Sequence, residues 1–329
     1  MGQHLKNFAN SLVGRLTGRG SLEVSGNTSS ADQLAEHKAF LAALDIRLNR
    51  FAVNQQPNEL FANVTDNLWL WLCTEGYRSS APLRNVLPGL PDEAVQLTYT
   101  GDKGDSVLKD GWAAYKLFKS LYERHVGPIA DCRNVLDFGC GWGRIIRFFL
   151  KDVAPSKLWG VDPVAEMVSL CQRQNRWCNF EAIHTSPPCR FPENTFDLIY
   201  SFSVFSHLSE EMHKSWLLEL NRILKPGGLL IATTRGREFI EQSAVPRKYE
   251  NIDSPLLLFT DTEQCQSDYD NGRYCFSQIV HEGEWSYWGE TAIPREYVLN
   301  HWTRWFTFLD YIDDRSLCSQ NVIVMSKPA

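Results

Sequence analysis

From Asn134 onward, short apolar runs rich in β-branched residues alternate with amphipathic stretches, the order expected of a parallel sheet covered by helices. The pattern predicts strands near 133–138, 157–162, 180–184, 196–201 and 228–234. It predicts helices near 143–152, 164–176 and 210–224, the last stopped by Pro226-Gly227-Gly228. After Arg235 the period is lost in an aromatic-rich stretch carrying Tyr249, Phe259, Tyr269, Tyr274, Phe276, Trp285, Tyr287 and Trp288. A long irregular segment of that kind usually forms a lid or a substrate wall. A helix near 295–305 and strands near 306–312 and 320–326 close the chain.

The first part of the chain reads differently. Leu5, Phe8, Leu12 and Leu16 fall at helical spacing among Lys6, Arg15 and Arg19, which predicts a short basic amphipathic helix docked on its own domain. GRGSLEVSGNTSSAD follows as a linker by composition. Phe40, Leu41, Leu44, Leu48 and Phe51 mark one face of a second helix, which Pro57 is expected to end. The organisation expected is a helical extension with linker over 1–90 and an α/β domain over 91–329, with an insertion at 238–290.

Length and composition narrow the functional classes. A chain of 329 residues with 43% hydrophobic and 22% charged residues can bury a large core, so neither disorder nor a fibrous repeat describes it. A net charge of -6 offers no long-range attraction for phosphate backbones, and no nucleic-acid partner is expected. The nine cysteines are scattered without CxxC or Cys/His spacing, which suits reduced thiols and no metal site. No stretch approaches the roughly 20 apolar residues of a membrane span, and MGQHLKNFAN has no apolar signal core, so a cytoplasmic location is expected.

The strongest chemical signal is Asn134-Val-Leu-Asp-Phe-Gly-Cys-Gly-Trp-Gly-Arg144, a buried strand running into glycines and then a helix. Glycines there let the backbone approach a ligand, and a helix start favours a carboxylate. The spacing departs from the dinucleotide fingerprint, whose third glycine would fall at Arg144. About twenty residues on, Leu158-Trp-Gly-Val-Asp162 ends a strand in a carboxylate placed to accept ribose hydroxyls, although a helix-capping role is also open to it.

These motifs resemble those of the class I S-adenosylmethionine-dependent methyltransferases. VLDFGCGWGR matches the first motif of that family, GVDP the second, FPENTFDLIYSFSVFSHL the region of the fourth strand, and LKPGGLLIATT the fifth. The resemblance implies a Rossmann-like sheet of seven mostly parallel strands, with the last strand antiparallel, and S-adenosyl-L-methionine as cofactor. It places Asp137, Gly139, Cys140 and Gly141 at the methionine end, Gly143 at the helix start, Asp162 on the ribose and Pro163 with Val164 at the adenine. An acidic residue commonly follows strand three in the family, whereas this chain offers Thr185 or Ser186. Ser201 joins the cofactor candidates at the end of strand four. Within the family, the GCGxGR form, Ser186-Pro-Pro188, YWGETAIPREYV and SQNVIVMSKP resemble bacterial enzymes of surface-glycan or secondary-metabolite synthesis.

Methyl transfer from a sulfonium is an in-line displacement, so the protein chiefly aligns the reactants in a dry pocket. His207, just beyond strand four, is the candidate base for a hydroxyl acceptor, with a helix-capping role as the other reading. His281, Glu284 and Glu290 are alternative bases, each expected to be a solvated or structural polar residue. The expected acceptor is a small molecule, glycan or lipid. Nucleic-acid methylation is disfavoured because Ser201-Phe-Ser-Val204 stands where a base-gripping tetrad would lie, and Pro188-Cys189 comes a strand too early for a cysteine nucleophile. No carboxylate cluster marks a metal site at that strand's tip, since Asp197 begins the strand. A non-catalytic cofactor-binding scaffold and an NAD-dependent dehydrogenase are the remaining alternatives.

Overall fold

The computed structural model describes residues 30–49, 55–243, 259, 261–279, 283 and 285–329. The basic helix expected around Leu5 to Leu16, and residues 18–29 of the linker, lie outside the described residues. Nine strands occur among those described: β1 (Val135–Phe138), β2 (Leu158–Asp162), β3 (Asn179–Ala182), β4 (Phe196–Ser201), β5 (Leu224–Thr234), β6 (Cys275–Gln278), β7 (Gly289–Ala292), β8 (Thr307–Ile312) and β9 (Asn321–Ser326). Seven form one sheet in the order β3-β2-β1-β4-β5-β9-β8. The pairs from β3 to β5 are parallel, while β9 runs antiparallel between β5 and β8. This is the mostly parallel, seven-stranded Rossmann-like sheet that the motifs predict, and the last strand is the antiparallel one.

Alternation along the strands divides the core into two layers. Val135, Leu158, Leu198, Tyr200, Leu229, Ile231, Val322 and Val324 face one side. Leu136, Phe138, Val161, Ile199, Leu230, Ala232, Ile323 and Met325 face the other. The helix Asp105–His125 covers the first layer with Val107, Leu108, Ala114, Tyr115, Phe118, Leu121 and Tyr122. A Cβ on its Gly111 would stand 2.9 Å from Arg144 Cγ, so the bare glycine lets this helix press against the chain just beyond the glycine loop. Arg144 Nη1 and Asp110 Oδ2, 2.5 Å apart, join the same two elements.

The helix Glu210–Ile223 covers the second layer. Ser209 caps it by accepting from Met212 N–H, Glu210 and Glu211 sit in its first turn and Arg222 in its last, all in keeping with the helix dipole. His213, Trp216, Leu217, Leu220 and Ile223 form its buried stripe. Burying each large apolar member of that stripe contributes about 1.5–3 kcal/mol. Trp216→Ala would damage this face most, because the indole packs on Phe138 with ring centroids 4.7 Å apart.

Four sequence expectations need revision. Pro57 does not end a helix; the earlier helix spans Ser30–Leu48, and Pro57 opens a new one, Pro57–Phe61, at the first-turn position where proline is tolerated. The helix expected at 143–152 shortens to Ile146–Phe149, because Gly143 adopts φ +75. The helix before β5 stops at Ile223, and Lys225-Pro-Gly-Gly228 belongs to the strand. The stretch after Arg235 is not irregular where it is described. It holds helices Arg237–Ser243 and Thr262–Asp270 and the antiparallel hairpin β6–β7, with Ile240, Phe259, Cys265, Cys275 and Ala292 as a small core of their own. Four-residue strands are too short to show a period against so many aromatics.

Candidate functional site

Where the chain leaves β1 it turns through Gly139 at φ +77 and Gly141 at φ +51, backbone angles that glycine adopts without strain. Gly139 and Cys140 both donate to Val161 O on β2, at 2.9 and 3.0 Å. A Cβ on Gly139 would stand 2.2 Å from Val204 Cγ2, so the loop after β4 closes directly over this glycine. At Gly141 a Cβ would meet nothing within 4 Å, which marks open space beside the loop. That space belongs to a cavity of about 370 Å³ at the carboxyl ends of β1, β2 and β4. It lies where the strand order reverses between β1 and β4, the position open α/β sheets use for ligands.

Asp162 ties the site together. Its Oδ2 accepts from Gly141 N–H and its Oδ1 from Val164 N–H, both at 2.9 Å. A carboxylate oxygen can accept more than one hydrogen bond, so both remain available to a pair of hydroxyls. Burial pushes this carboxyl above its ordinary range, against the pull of the two backbone donors. Asp137 is deeper, 2% exposed, and burial raises it to about 7, with the neighbouring Tyr200 hydroxyl opposing and the charge of Asp162 reinforcing the rise. Two carboxylates held at such a cost beside one cavity suit a ligand with a cationic end and a diol.

His207 lines the same cavity and is 6% exposed. Its Nδ1 stands 2.9 Å from Gly289 O; a carbonyl only accepts, so the hydrogen is on Nδ1 and Nε2 carries the lone pair. Nε2 lies 3.4 Å from Ser203 Oγ. Burial first, then the charge of Arg235, lowers His207 to about 3, so the ring is neutral. Trp288 stacks on it with centroids 4.6 Å apart and an interplanar angle of 15°. Capping of the next helix falls to Ser209, leaving His207 free of that role.

Of the residues named from sequence, Asp137, Gly139, Cys140, Gly141, Asp162, Pro163 and His207 line the cavity. Gly143, Ser186 and Ser201 do not: Gly143 lies behind the loop near Cys171 and Phe180, Ser186 is exposed, and Ser201 is fully buried. Thr185, offered beside Ser186, does line it. Glu290 is not solvated; it is 0% exposed beneath His207. His281 and Glu284 lie outside the described residues. Sequence reasoning missed Thr98, Tyr99 and Thr100, whose helix Glu93–Thr100 brings them to the rim, and it missed Arg144 and Phe202. Arg144 and Phe202 lie within the quoted motifs without being singled out, whereas no local motif marks Thr98 to Thr100, which only tertiary packing brings to the site.

Residues 135–228 match the family model described as a methyltransferase domain. An uncharacterized methyltransferase of Schizosaccharomyces pombe is 30% identical over 131 residues, covering 36% of this chain and 45% of that protein. A fatty-acid O-methyltransferase of Mycolicibacterium smegmatis is 26% identical over 102 residues, covering 31% of this chain and 36% of that one. The chain thus spans less than half the length of these curated relatives. A solved S-adenosylmethionine-dependent methyltransferase from Clostridium acetobutylicum aligns with 16% identity and a TM-score of 0.46, covering 67% of this chain and 92% of that one. Residues 135–228 thus carry the likeness to a methyltransferase domain, and they run from β1 to the start of β5 in the seven-stranded sheet.

Among the described residues no group of His, Cys, Asp and Glu is arranged to hold a metal ion, and no helix is long and apolar enough to cross a membrane.

Proposed function

We propose that this chain transfers a methyl group from S-adenosylmethionine to a hydroxyl oxygen of a small-molecule, glycan or lipid acceptor. The observation that carries the reading is the cavity itself, with the Asp162 carboxylate bonded to the glycine loop on one side and the neutral Nε2 of His207 on the other. S-adenosylmethionine, when bound, supplies an electrophilic sulfonium methyl group. Asp162 would hold its ribose, Asp137 and the turn at Gly139 to Gly141 its methionine end, and Pro163, Val164 and Thr185 its adenine. Open space at Gly141 and the unused acceptor capacity of Asp162 fit that role.

The protein's own contribution is positioning, exclusion of water and removal of one proton. Phe202, Val204, Leu208, Trp285, Tyr287 and Trp288 wall the acceptor side with largely apolar surface. A hydroxyl there presents its proton to His207 Nε2. The fatty-acid O-methyltransferase among the relatives acts, by its name, on an apolar molecule at oxygen, which agrees with such a wall.

The reading is tested by calorimetry with S-adenosylhomocysteine, followed by transfer of isotopically labelled methyl groups into fractionated small molecules, glycans and lipids. Micromolar binding and one labelled product carrying an O-methyl group are expected. Binding without any labelled product would instead make the chain a cofactor-binding scaffold, and label on nitrogen or carbon would displace the hydroxyl assignment.

A further inference from the structure

Beneath the cavity, Glu290 on β7 is wholly enclosed, yet only one of its oxygens is engaged. Oε2 faces Arg235 Nε at 3.2 Å, whereas Oε1 has no hydrogen-bond partner among the described residues. A bare carboxylate oxygen at that depth is costly, and its presence calls for a reason. The nearest candidate is His207, whose Nδ1 stands 3.4 Å from Oε1 while donating to Gly289 O. The opposite edge of the same ring reaches Ser203 Oγ at the cavity wall. The imidazole therefore spans the distance between a buried, half-satisfied carboxylate and the space where an acceptor would sit.

We propose that His207 and Glu290 work as one base, with Glu290 a positioning residue that takes up the proton His207 removes. This deepens the methyl-transfer reading and rests on it. The acceptor O–H bond breaks, its electron pair stays on oxygen, and the proton binds the lone pair of His207 Nε2. The Nδ1–H bond then breaks, leaving its pair on nitrogen, and that proton binds Glu290 Oε1. His207 ends neutral with its hydrogen on Nε2, Glu290 ends as the carboxylic acid, and one negative charge has moved to the acceptor oxygen. The proton's passage requires Oε1 to close from 3.4 Å to hydrogen-bond distance, a movement along the broad terminal torsion of glutamate. After product leaves, the Nε2 proton passes to solvent water at the cavity and the Glu290 proton returns to Nδ1, which restores the starting state.

Among the described residues, the titratable or charged groups facing Glu290 are Arg235 beyond β5 and His207 beyond β4. Burial raises the Glu290 carboxyl to about 7, with Arg235 opposing. A histidine held near 3 is by itself a weak base at neutral pH, whereas a carboxylate near 7 is matched to the task. The pair holds one proton between them and titrates as a unit.

The test needs no acceptor. The full chain, labelled with ¹³C-glutamate and ¹⁵N-histidine and saturated with S-adenosylhomocysteine, is titrated by NMR from about pH 5 to about pH 9. The Glu290 carboxyl carbon is expected to move with a midpoint near 7, and both His207 nitrogens to respond at that same midpoint. In Glu290→Gln the His207 response disappears. A Glu290 carbon that does not titrate, His207 nitrogens blind to its midpoint, or an unchanged His207 response in Glu290→Gln would each overturn the pair. The first two readings use the native chain, so they stand even if the variant fails to fold. Once a labelled acceptor is known, the native rate should fall as pH drops below 7, and Glu290→Gln should lower kcat about 10- to 100-fold at constant KM and lose that limb. Failure of the methyl-transfer reading would appear as no labelled product with the NMR titration intact.

Discussion

Gly141 N–H donates to Asp162 Oδ2 at 2.9 Å, so the carboxylate at the tip of β2 fastens the glycine loop of β1 before any ligand arrives. The other oxygen does the same for Val164 N–H, which starts the turn into the helix Ala165–Gln174. The cofactor end of the cavity is thereby preorganised by one side chain, and rigid sites of this kind lose less on binding.

Asp162→Ala should therefore weaken S-adenosylhomocysteine binding, since it removes a charge-assisted contact worth about 1.5–3 kcal/mol, roughly 10- to 150-fold in Kd. Calorimetry on variants whose circular dichroism and melting behaviour remain native provides the check. Unchanged affinity would mean that the ribose is held elsewhere.

Gly139→Ala should destabilise the fold and weaken the cofactor together. The new methyl meets Val204 Cγ2 at 2.2 Å, and φ +77 disfavours any side chain, so a loss on the order of 2–4 kcal/mol is expected. Adding Val204→Ala removes the clash but not the backbone penalty, so the double variant should recover part of the stability. A denaturation cycle over the four proteins measures that coupling, and strict additivity would refute the contact.

Much of this architecture could be read in advance because its signals are local. Strands β1, β2 and β4 are runs of mostly buried residues bounded by turns, and Asp162 lies about twenty residues beyond the glycines. What could not be read depends on distant packing. Thr98 to Thr100 lie in a helix of ordinary composition, and only the docking of the chain on either side of it, Gly89 on Arg147 and Asp110 on Arg144, brings it to the cavity. Glu290 reads as a surface residue beside Ser286 and Gly289, yet its pairing opposite Ser277 in the β6–β7 hairpin turns it inward. A four-residue strand leaves no period from which that inward turn could be inferred.

The buried carboxyl of Asp137 yields a pH prediction. Its folded value, near 7, is raised above the ordinary 3.8, so the stability it contributes is fully present below about pH 4 and is lost as pH rises through 7. Asp137→Asn keeps the shape without the charge. It should be more stable than the native chain at pH 8, by on the order of 2–4 kcal/mol, with the difference shrinking toward pH 4. Urea titrations across that range measure it. If Asp137 faces the cationic end of the cofactor, S-adenosylhomocysteine should also bind the native chain more tightly as pH rises through 7, and Asp137→Asn should lose that dependence.

The last prediction concerns the acceptor wall, which we place on the segment 238–290. Trp288 stacks on His207 and stands edge-on to Trp285, with centroids 6.1 Å apart, and both indoles line the cavity beside Phe202 and Leu208. Trp288 is also held by backbone bonds, accepting from Ile279 N–H and donating to Trp285 O, and it bridges to Leu208. The backbone of this wall is therefore fixed by the hairpin and the loop after β4, not by the indoles. Truncating an indole should leave the glycine loop and Asp162 undisturbed, because those are fastened to β1 and β2. Trp285→Ala is expected to raise the acceptor KM, and Trp288→Ala to lower kcat as well, since it frees the His207 ring. Each change should be about tenfold, with S-adenosylhomocysteine affinity within about twofold of native. Calorimetry and steady-state rates on the acceptor found by labelling separate the two effects. Parallel loss of stability and cofactor binding in both variants would make the segment a satellite core, and the acceptor side would then have to be sought at the rim formed by Thr98 to Thr100.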